Sequence, residues 1–415
     1  MRRIHLIIAL VIAISLTGFA KPRQTKPLLP DYPQVKSATE FEAHRAVGLA
    51  ALYNLDYPTA EAEFEKMIKL NPEHPAGYHY LATTRWLSIL KATRRLQIGL
   101  YTDDAFFAGS TGKLDPQLEG SVREAINKAI RLANACVTKN KNDVEGLYYL
   151  GAAHGTMAGF EFTVTRRFVE AARKADKGVE FHTRVTRLDP NFADADLMIG
   201  LYKYAVAKLP ILQKVPLVMV GKRGNSKDGI KRLLRAMEQG KLVADDARTL
   251  LVAIYEREKN YSEAFKLLDE LTGKYPKNYL FSLERAVVLS QLGKSCESYT
   301  AFRQVLKDEN AQAVADLIHY RYGEALLKGG EFKGAAEYFL KATKSPQSDS
   351  ALVSLAYLRR GQALDALQDR AQALDHYRTV LERENAFDSH NQARRYRDNP
   401  YAREEVREEK CLPGN

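Results

Sequence analysis

The sequence is poor in the residues from which disulfide frameworks are built. Its 415 residues include three cysteines and a single tryptophan. Cys136, Cys296 and Cys411 are far apart and odd in number, so they do not form the paired framework typical of small exported domains. We expect Cys136 and Cys296 to be small core residues on helices, whereas Cys411 falls in a polar tail and is available as a free thiol.

Motifs for metal, phosphate or nucleophilic chemistry are also missing. His74 and His79 are five residues apart and do not meet the i, i+4 geometry of a zinc-binding helix. A surface turn and a helix face explain them better. The stretch Gly109–Lys113 lacks the spacing of a phosphate-binding loop and follows no predicted strand. We therefore predict no catalytic, cofactor-binding or metal-binding residues, and no enzymatic activity.

Long apolar runs are rare, and the most prominent one lies at the start of the chain. Leu6–Leu16 follows the basic Met1–Arg3 and precedes the small-residue site Gly18–Ala20. These three parts are typical of a Sec-type secretory signal peptide, here residues 1–20. The run is shorter than the roughly 20 residues of a spanning helix. We predict a periplasmic or secreted protein; the alternative is an uncleaved N-terminal membrane anchor.

The formal charge of +11 makes the chain basic, but the predicted export says more about the kind of partner it meets. In the cytosol, a basic chain would be a candidate for binding nucleic acid. Because an exported protein does not meet cellular nucleic acid, we predict no nucleic-acid partner. Acidic polymers of a cell envelope or anionic lipid headgroups fit better. The alternative is simply a basic, soluble surface. Residues 21–36, rich in proline and basic residues, are predicted to be an extended linker.

What the sequence does contain is a repeating pattern of small and aromatic residues. Gly48, Ala60 and Phe64 are spaced by twelve and then four residues. The small residues would let two helices approach closely, and the aromatic ring would fill the groove between them. The same spacing returns twice near the other end of the chain, as Gly323, Ala335, Phe339 and as Gly361, Ala373, Tyr377.

This pattern resembles the tetratricopeptide repeat, a helix–turn–helix unit of 34 residues with small, small and aromatic positions in this order. Ala264 and Ser298 hold the same position 34 residues apart, and Phe302 repeats the aromatic position. The resemblance implies an all-α, TPR-like α-solenoid of about eight helical hairpins. Its predicted packing residues are Gly48, Ala60, Phe64, Ala264, Phe302, Gly323, Ala335, Phe339, Gly361, Ala373 and Tyr377.

The spacing divides the solenoid into an expanded and a regular part. In the expanded part, residues 37–240, the pairs Gly151/Gly178 and Gly200/Gly229 are 27 and 29 residues apart instead of twelve. This difference predicts long inserted helices. Residues 241–386 are predicted to form a regular repeat array, and residues 387–415 a charged capping helix and tail.

A second resemblance concerns residues 145–240. The residues that carry it are Leu209-Pro210, Gly221, Gly224, Asp228-Gly229-Ile230 and Leu233-Leu234. They look like a segment of a eukaryotic family of expanded tetratricopeptide proteins that includes the fungal inclusion-body clearance proteins. That resemblance implies a non-catalytic, all-helical protein with long inserted arms. The signal peptide departs from the family's pattern.

The repeat resemblance also suggests where a partner would bind, because first-helix residues line the groove of a repeat stack. One subset of such domains clamps a terminal carboxylate with an asparagine, but here that position holds Leu49, Ala253, Val287, Glu324 and Gln362. Without the clamp, the groove is expected to favour an apolar or mixed segment such as an amphipathic helix. Candidate partner-binding residues are Tyr53, Tyr255, Tyr320 and Arg257; a core position for the tyrosines is an equal alternative.

The most unusual later stretch is Leu209–Gly221, an apolar segment with two prolines that precedes the basic Lys222–Lys227. Through Leu212 and Leu217 it could rest on a lipid surface, or it could pack on neighbouring helices. The function predicted from sequence is therefore an exported, non-catalytic scaffold or adaptor that binds proteins of the cell envelope. The alternative is a peripheral membrane or anionic-polymer binding protein that uses this segment.

Overall fold

The computed structural model describes residues 38–96, 115–209, 223–344 and 348–402. Every regular element within them is helical, and these residues contain no β-strand, which confirms the all-α, helical-repeat prediction. The predicted signal peptide, the predicted linker and residues 403–415 of the predicted tail lie outside the described residues. In the described ranges, no helix has the length and apolar character needed to cross a membrane.

The chain divides into two compact units, the first ending at Ile254 and the second beginning at Tyr255. The N-terminal unit contains α1 (Ala38–Tyr53), α2 (Tyr57–Leu70), α3 (Pro75–Ala92), α4 (Pro116–Lys139), α5 (Val144–Thr163), α6 (Phe168–Leu188), α7 (Asp196–Lys208), α8 (Ser226–Gln239) and most of α9 (Ala244–Arg257). The C-terminal unit contains the end of α9, then α10 (Tyr261–Lys274), α11 (Tyr279–Gln291), α12 (Ser295–Val305), α13 (Ala315–Lys328), α14 (Phe332–Thr343), α15 (Ser350–Ala366), α16 (Arg370–Leu381) and α17 (Ser389–Asp398).

The small and aromatic positions of the regular pairs are in direct contact. A Cβ atom added to Gly48 would lie 2.5 Å from Cε1 of Phe64, so only glycine leaves room for the ring. The same measurement gives 2.7 Å for Gly323 against Phe339 and 2.5 Å for Gly361 against Tyr377. The other packing residues are fully buried: Ala60, Ala264, Phe302, Ala335 and Ala373. Each aromatic ring therefore packs between the two helices of its pair and stabilises their contact.

The turn inside a regular pair is also repeated. Five residues before the small residue of the second helix, the backbone adopts a positive φ, between 57° and 81°. These residues are Leu55, Lys259, Gly293, Gly330 and Gln368. The left-handed conformation costs a non-glycine residue about 1–2 kcal/mol, so its recurrence shows that the geometry of the pair imposes the turn.

The expanded pairs differ from the regular pairs in helix length and in how the helices cross. Helices α5 and α6 contain 20 and 21 residues, and both continue well past the crossing at Gly151 and Gly178. In the next pair, a Cβ on Gly200 would lie 2.8 Å from the carbonyl oxygen of Gly229. The Gly200–Gly229 crossing therefore brings backbone against backbone, whereas a Cβ on Gly151 would first meet the imidazole ring of His182 on α6.

The cysteines occupy different environments. Cys136, on α4, is half-buried and is not part of a disulfide. Cys296, near the start of α12, is disulfide-bonded, so the expectation of a small core thiol at this position is wrong. Cys411 lies outside the described residues. A disulfide is typical of proteins that work in oxidising compartments.

Candidate binding surface

The first helices of the N-terminal unit meet in a buried cluster of aromatic and polar side chains. Tyr53 on α1 is 3% exposed, and its hydroxyl donates a hydrogen bond of 2.6 Å to Asp246 on α9. Tyr80, Tyr148 and Tyr149, on α3 and α5, are buried as well. Tyr53 is therefore a core residue, as the alternative interpretation of the tyrosines expects, and a partner cannot reach it in this conformation.

His74 and His79 are both buried: His74, at the turn before α3, does not lie on the surface as expected, and His79 lies on α3, on a buried face of that helix. His74 caps α3: its Nδ1 accepts the Ala76 amide at 3.1 Å, and its Nε2 lies 3.2 Å from Glu145. Burial, with a smaller effect from His182, lowers the pKa of His79 to about 3. Burial also lowers the pKa of His182 to about 4. These last two imidazoles are neutral packing groups at physiological pH.

The remaining predicted partner-binding residues belong to the C-terminal unit. Tyr320 on α13 is 6% exposed, and burial raises its pKa, so it too is a core residue. Tyr255 and Arg257, at the end of α9, are half-buried and keep part of their side chains accessible. Of the four candidates predicted from the groove, these two remain at an accessible surface.

A charged row crosses the first helices of the C-terminal unit. It consists of Glu256 on α9, Glu284 on α11, Arg321 and Glu324 on α13, and Arg359 on α15. The Glu324 carboxylate lies 3.0 Å from Nη1 of Arg321 and 3.6 Å from Nε of Arg359. Glu324 is therefore already paired with two guanidinium groups, each of which belongs to a side chain that stays about a third exposed.

At the acidic end of the charged row, two carboxyl groups lie close together, those of Glu256 and Glu284. Burial, followed by the charge of Glu284 and a hydrogen bond to it, raises the pKa of Glu256 well above its ordinary value, although Arg321 partly opposes this. Burial and the neighbouring carboxyl group both favour the neutral form of Glu256, which is the direction of this pKa shift.

The row leads into a cavity of about 530 Å³, which we call the C-terminal pocket. Its walls come from α13, α15, α17 and the segment after α17. The lining residues are Glu324, Leu327, Lys328, Arg359, Arg395, Tyr396, Asn399, Pro400, Tyr401 and Ala402. This volume falls within the range of about 300–1,000 Å³ typical of ligand pockets.

Asp365, at the end of α15, fixes the segment that forms one wall of the pocket. Its carboxylate accepts hydrogen bonds from the Tyr401 amide at 2.9 Å, the Tyr377 hydroxyl at 2.7 Å and Arg370 at 2.8 Å. Arg370 also donates to the carbonyl oxygen of Tyr396 at 2.9 Å. The aromatic packing residue Tyr377 therefore also positions the pocket.

Sequence reasoning did not single out the arginines of this surface, although a signal for them exists. Arg321 and Arg359 each precede by three residues a groove position of the repeat, Glu324 and Gln362. Arg359 donates to the Gln362 side chain at 3.0 Å, and Arg321 pairs with Glu324. A search for charged residues at this offset would have found both arginines. Arg395 and Tyr396 lie beyond the repeats, where no such offset applies.

The apolar segment Leu209–Gly221 is described only at its first residue. Leu209 is buried, whereas Leu212 and Leu217 lie outside the described residues. The chain on either side of this segment is held together, since the Asn225 amide donates to the Lys203 carbonyl oxygen at 3.0 Å. In the part of the chain that the structure describes, no cluster of histidine, cysteine or carboxylate side chains has the geometry of a metal site.

Comparison with known proteins places the repeats most clearly in the C-terminal unit. Family models of the tetratricopeptide repeat match residues 283–349 and 355–384. No curated protein sequence matches the chain.

Several solved structures are similar to this chain at low identity. The human IFIT1 dimer with m7Gppp-AAAA has 12% identity and a TM-score of 0.43, over 85% of this chain and 83% of that chain. Yeast Tom70 has 14% identity and a TM-score of 0.39, over 87% and 89%. A tetratricopeptide repeat protein from Parabacteroides merdae has 14% identity and a TM-score of 0.32, over 78% and 99%. Values this low do not identify a function for this chain.

Proposed function

Because this chain is a tetratricopeptide-repeat protein, we propose that it is a non-catalytic scaffold that binds another protein on the first-helix surface of its C-terminal unit. The observation that carries the proposal is the charged row, which keeps Arg321 and Arg359 partly exposed beside a cavity of about 530 Å³. In the N-terminal unit, the first-helix side chains Tyr53, Tyr80 and Tyr149 are buried. A partner segment therefore has accessible polar anchors in the C-terminal unit.

A random peptide library tests this proposal without knowledge of the natural partner. Phage-displayed dodecapeptides would be panned on the chain from residue 21 to residue 415. We expect enriched peptides whose affinity falls about tenfold when Arg321→Gln and Arg359→Gln are combined, because each of the two partly exposed ion pairs with the peptide contributes about 0.2–1 kcal/mol. Isothermal titration would measure the affinities.

The matched control is Lys266→Gln with Arg378→Gln, two exposed cations on the second helices α10 and α16. This control should leave the affinity unchanged, and circular dichroism should show that both double variants are folded. If no peptide is enriched, or if all peptides bind the two double variants equally well, the proposed surface is wrong. If the chain binds no peptide but floats with phosphatidylserine vesicles, the membrane-binding alternative is favoured.

We further propose that the scaffold works outside the cytoplasm, in the cell envelope. The signal-peptide pattern of residues 1–20 supports this, and the disulfide at Cys296 is compatible with an oxidising compartment. We expect the protein purified from its natural host to begin at Lys21, as measured by intact mass. A chain that retains Met1–Ala20 in the membrane fraction would instead support the anchor, and one that retains it in the cytosol would contradict export.

A further inference from the structure

The walls of the C-terminal pocket carry more positive than negative charge. Among the lining residues that the structure describes, Lys328, Arg359 and Arg395 are cationic and Glu324 is the one carboxylate. Glu324 is within ion-pair distance of Arg321 and Arg359. Arg395 forms no ion pair with any residue that the structure describes, and its guanidinium lies 5.6 Å from the centroid of the Tyr396 ring. The pocket therefore suits a ligand with negative charge.

The same walls also present rings and apolar groups. The Tyr396 ring lies 6.0 Å from Tyr377 and 5.6 Å from Tyr401, measured between centroids. Leu327 and Pro400 complete this apolar part. A uniformly anionic polymer would make no use of these groups and would bring its charge against Glu324. A peptide that alternates acidic and apolar side chains uses both parts of the wall.

The pocket wall is held in place before a ligand arrives. Asp365 anchors the Tyr401 amide at 2.9 Å, and Arg370 bridges Asp365 to the carbonyl oxygen of Tyr396. Because the segment around Tyr396 and Tyr401 is already ordered, a ligand would not lose affinity to ordering it. Arg395 and Tyr396 belong to α17, so these two lining residues lie outside the repeat positions that form a carboxylate clamp.

We propose that the C-terminal pocket binds an acidic segment of a partner protein. Its carboxylates face Arg395, Lys328 and Arg359, and a neighbouring apolar or aromatic side chain packs against Tyr396. This inference rests on the proposed function of the chain as a protein-binding scaffold, and it specifies the chemistry of the segment that is bound.

The test compares two adjacent arginines on α17. Dodecapeptides enriched on the chain from residue 21 to residue 415 should be rich in aspartate and glutamate. Their affinity should fall about tenfold or more for Arg395→Glu. The control is Arg394→Glu, because Arg394 is exposed and is not among the described lining residues of the pocket, and its side chain donates to Asn391 at 3.4 Å. The control should bind like the unmodified chain. Thermal melting should be the same for both variants.

The outcomes separate this inference from the proposed function. Enriched peptides that lack acidic residues, or that bind Arg395→Glu as tightly as Arg394→Glu, would overturn the acidic-segment inference and leave the scaffold proposal standing. An absence of enriched peptides would overturn both. Binding of a single-stranded RNA oligonucleotide, weakened by Arg395→Glu while acidic peptides fail to bind, would also overturn the inference in favour of a nucleic-acid ligand.

Discussion

Replacing Phe339 by alanine is expected to lower the free energy of unfolding of the C-terminal unit by about 3–5 kcal/mol. The ring is fully buried and fills the space that Gly323 leaves open at the crossing of α13 and α14. Glycine cannot expand into the cavity, so the lost contacts are not replaced. Urea unfolding followed by circular dichroism would measure the change, and native-state hydrogen exchange would localise it to α13 and α14.

A suitable control is Leu367→Ala, at the C-terminal cap of α15. Leu367 is 42% exposed, so its truncation should lower the free energy of unfolding much less than the loss of a buried ring does. If Phe339→Ala were no more destabilising than this control, the aromatic position would not be what holds the pair together. The three pairs with a glycine–aromatic contact would then need another explanation.

Replacing Gly229 by alanine should destabilise the N-terminal unit by an amount near the upper end of about 1–3 kcal/mol. A Cβ there would lie 2.7 Å from the Gly200 carbonyl oxygen and 2.8 Å from the Tyr204 amide nitrogen. Both are backbone atoms, which cannot rotate away as a flexible side chain could. The helices α7 and α8 would have to separate. The single tryptophan, Trp86, is buried in this unit, so its fluorescence reports the unfolding transition.

The matched control for Gly229 is Gly120→Ala. Gly120 lies in α4, and a Cβ added to it would have no neighbouring atom within 4 Å. Alanine should therefore raise stability there by about 0.5–1 kcal/mol through helix propensity alone. Equal effects at the two glycines would show that the α7–α8 crossing does not require close backbone approach.

The repeat architecture could be predicted from sequence because close helix packing restricts residue size at fixed intervals. Gly48 and Phe64, sixteen residues apart, contact each other because the turn between them has one geometry. The glycine crossings of the expanded pairs follow the same logic, with Gly200 facing Gly229. In both cases the contacts join neighbouring helices, and sequence spacing is informative at that range.

Contacts between distant helices could not be predicted in this way. The hydrogen bond from Tyr53 to Asp246 joins residues separated by 193 positions, and no spacing rule links them. The sequence pattern places Tyr53 and Tyr320 on first helices, but it does not say whether neighbouring helices cover them. Whether a groove residue is buried depends on how tightly successive pairs wind, which is a property of the whole unit.

The C-terminal pocket could not be predicted from the sequence either. One wall follows the capping helix, in a stretch whose polar composition predicts only a solvated end. Asp365 accepts the Tyr401 amide across 36 residues and so folds this stretch back onto α15. The basic residues of α17 then acquire a defined position at the pocket, where composition alone suggests a diffuse charged surface.

Hydrogen exchange on the chain from residue 21 to residue 415, with and without a saturating enriched peptide, is the sharpest test of binding to the C-terminal unit. We predict slower exchange in α13, α15 and α17 and in residues 399–402, since these elements form the first-helix surface and the pocket of the C-terminal unit. Slower exchange confined to the second helices α14 and α16, or to the N-terminal unit, would contradict it.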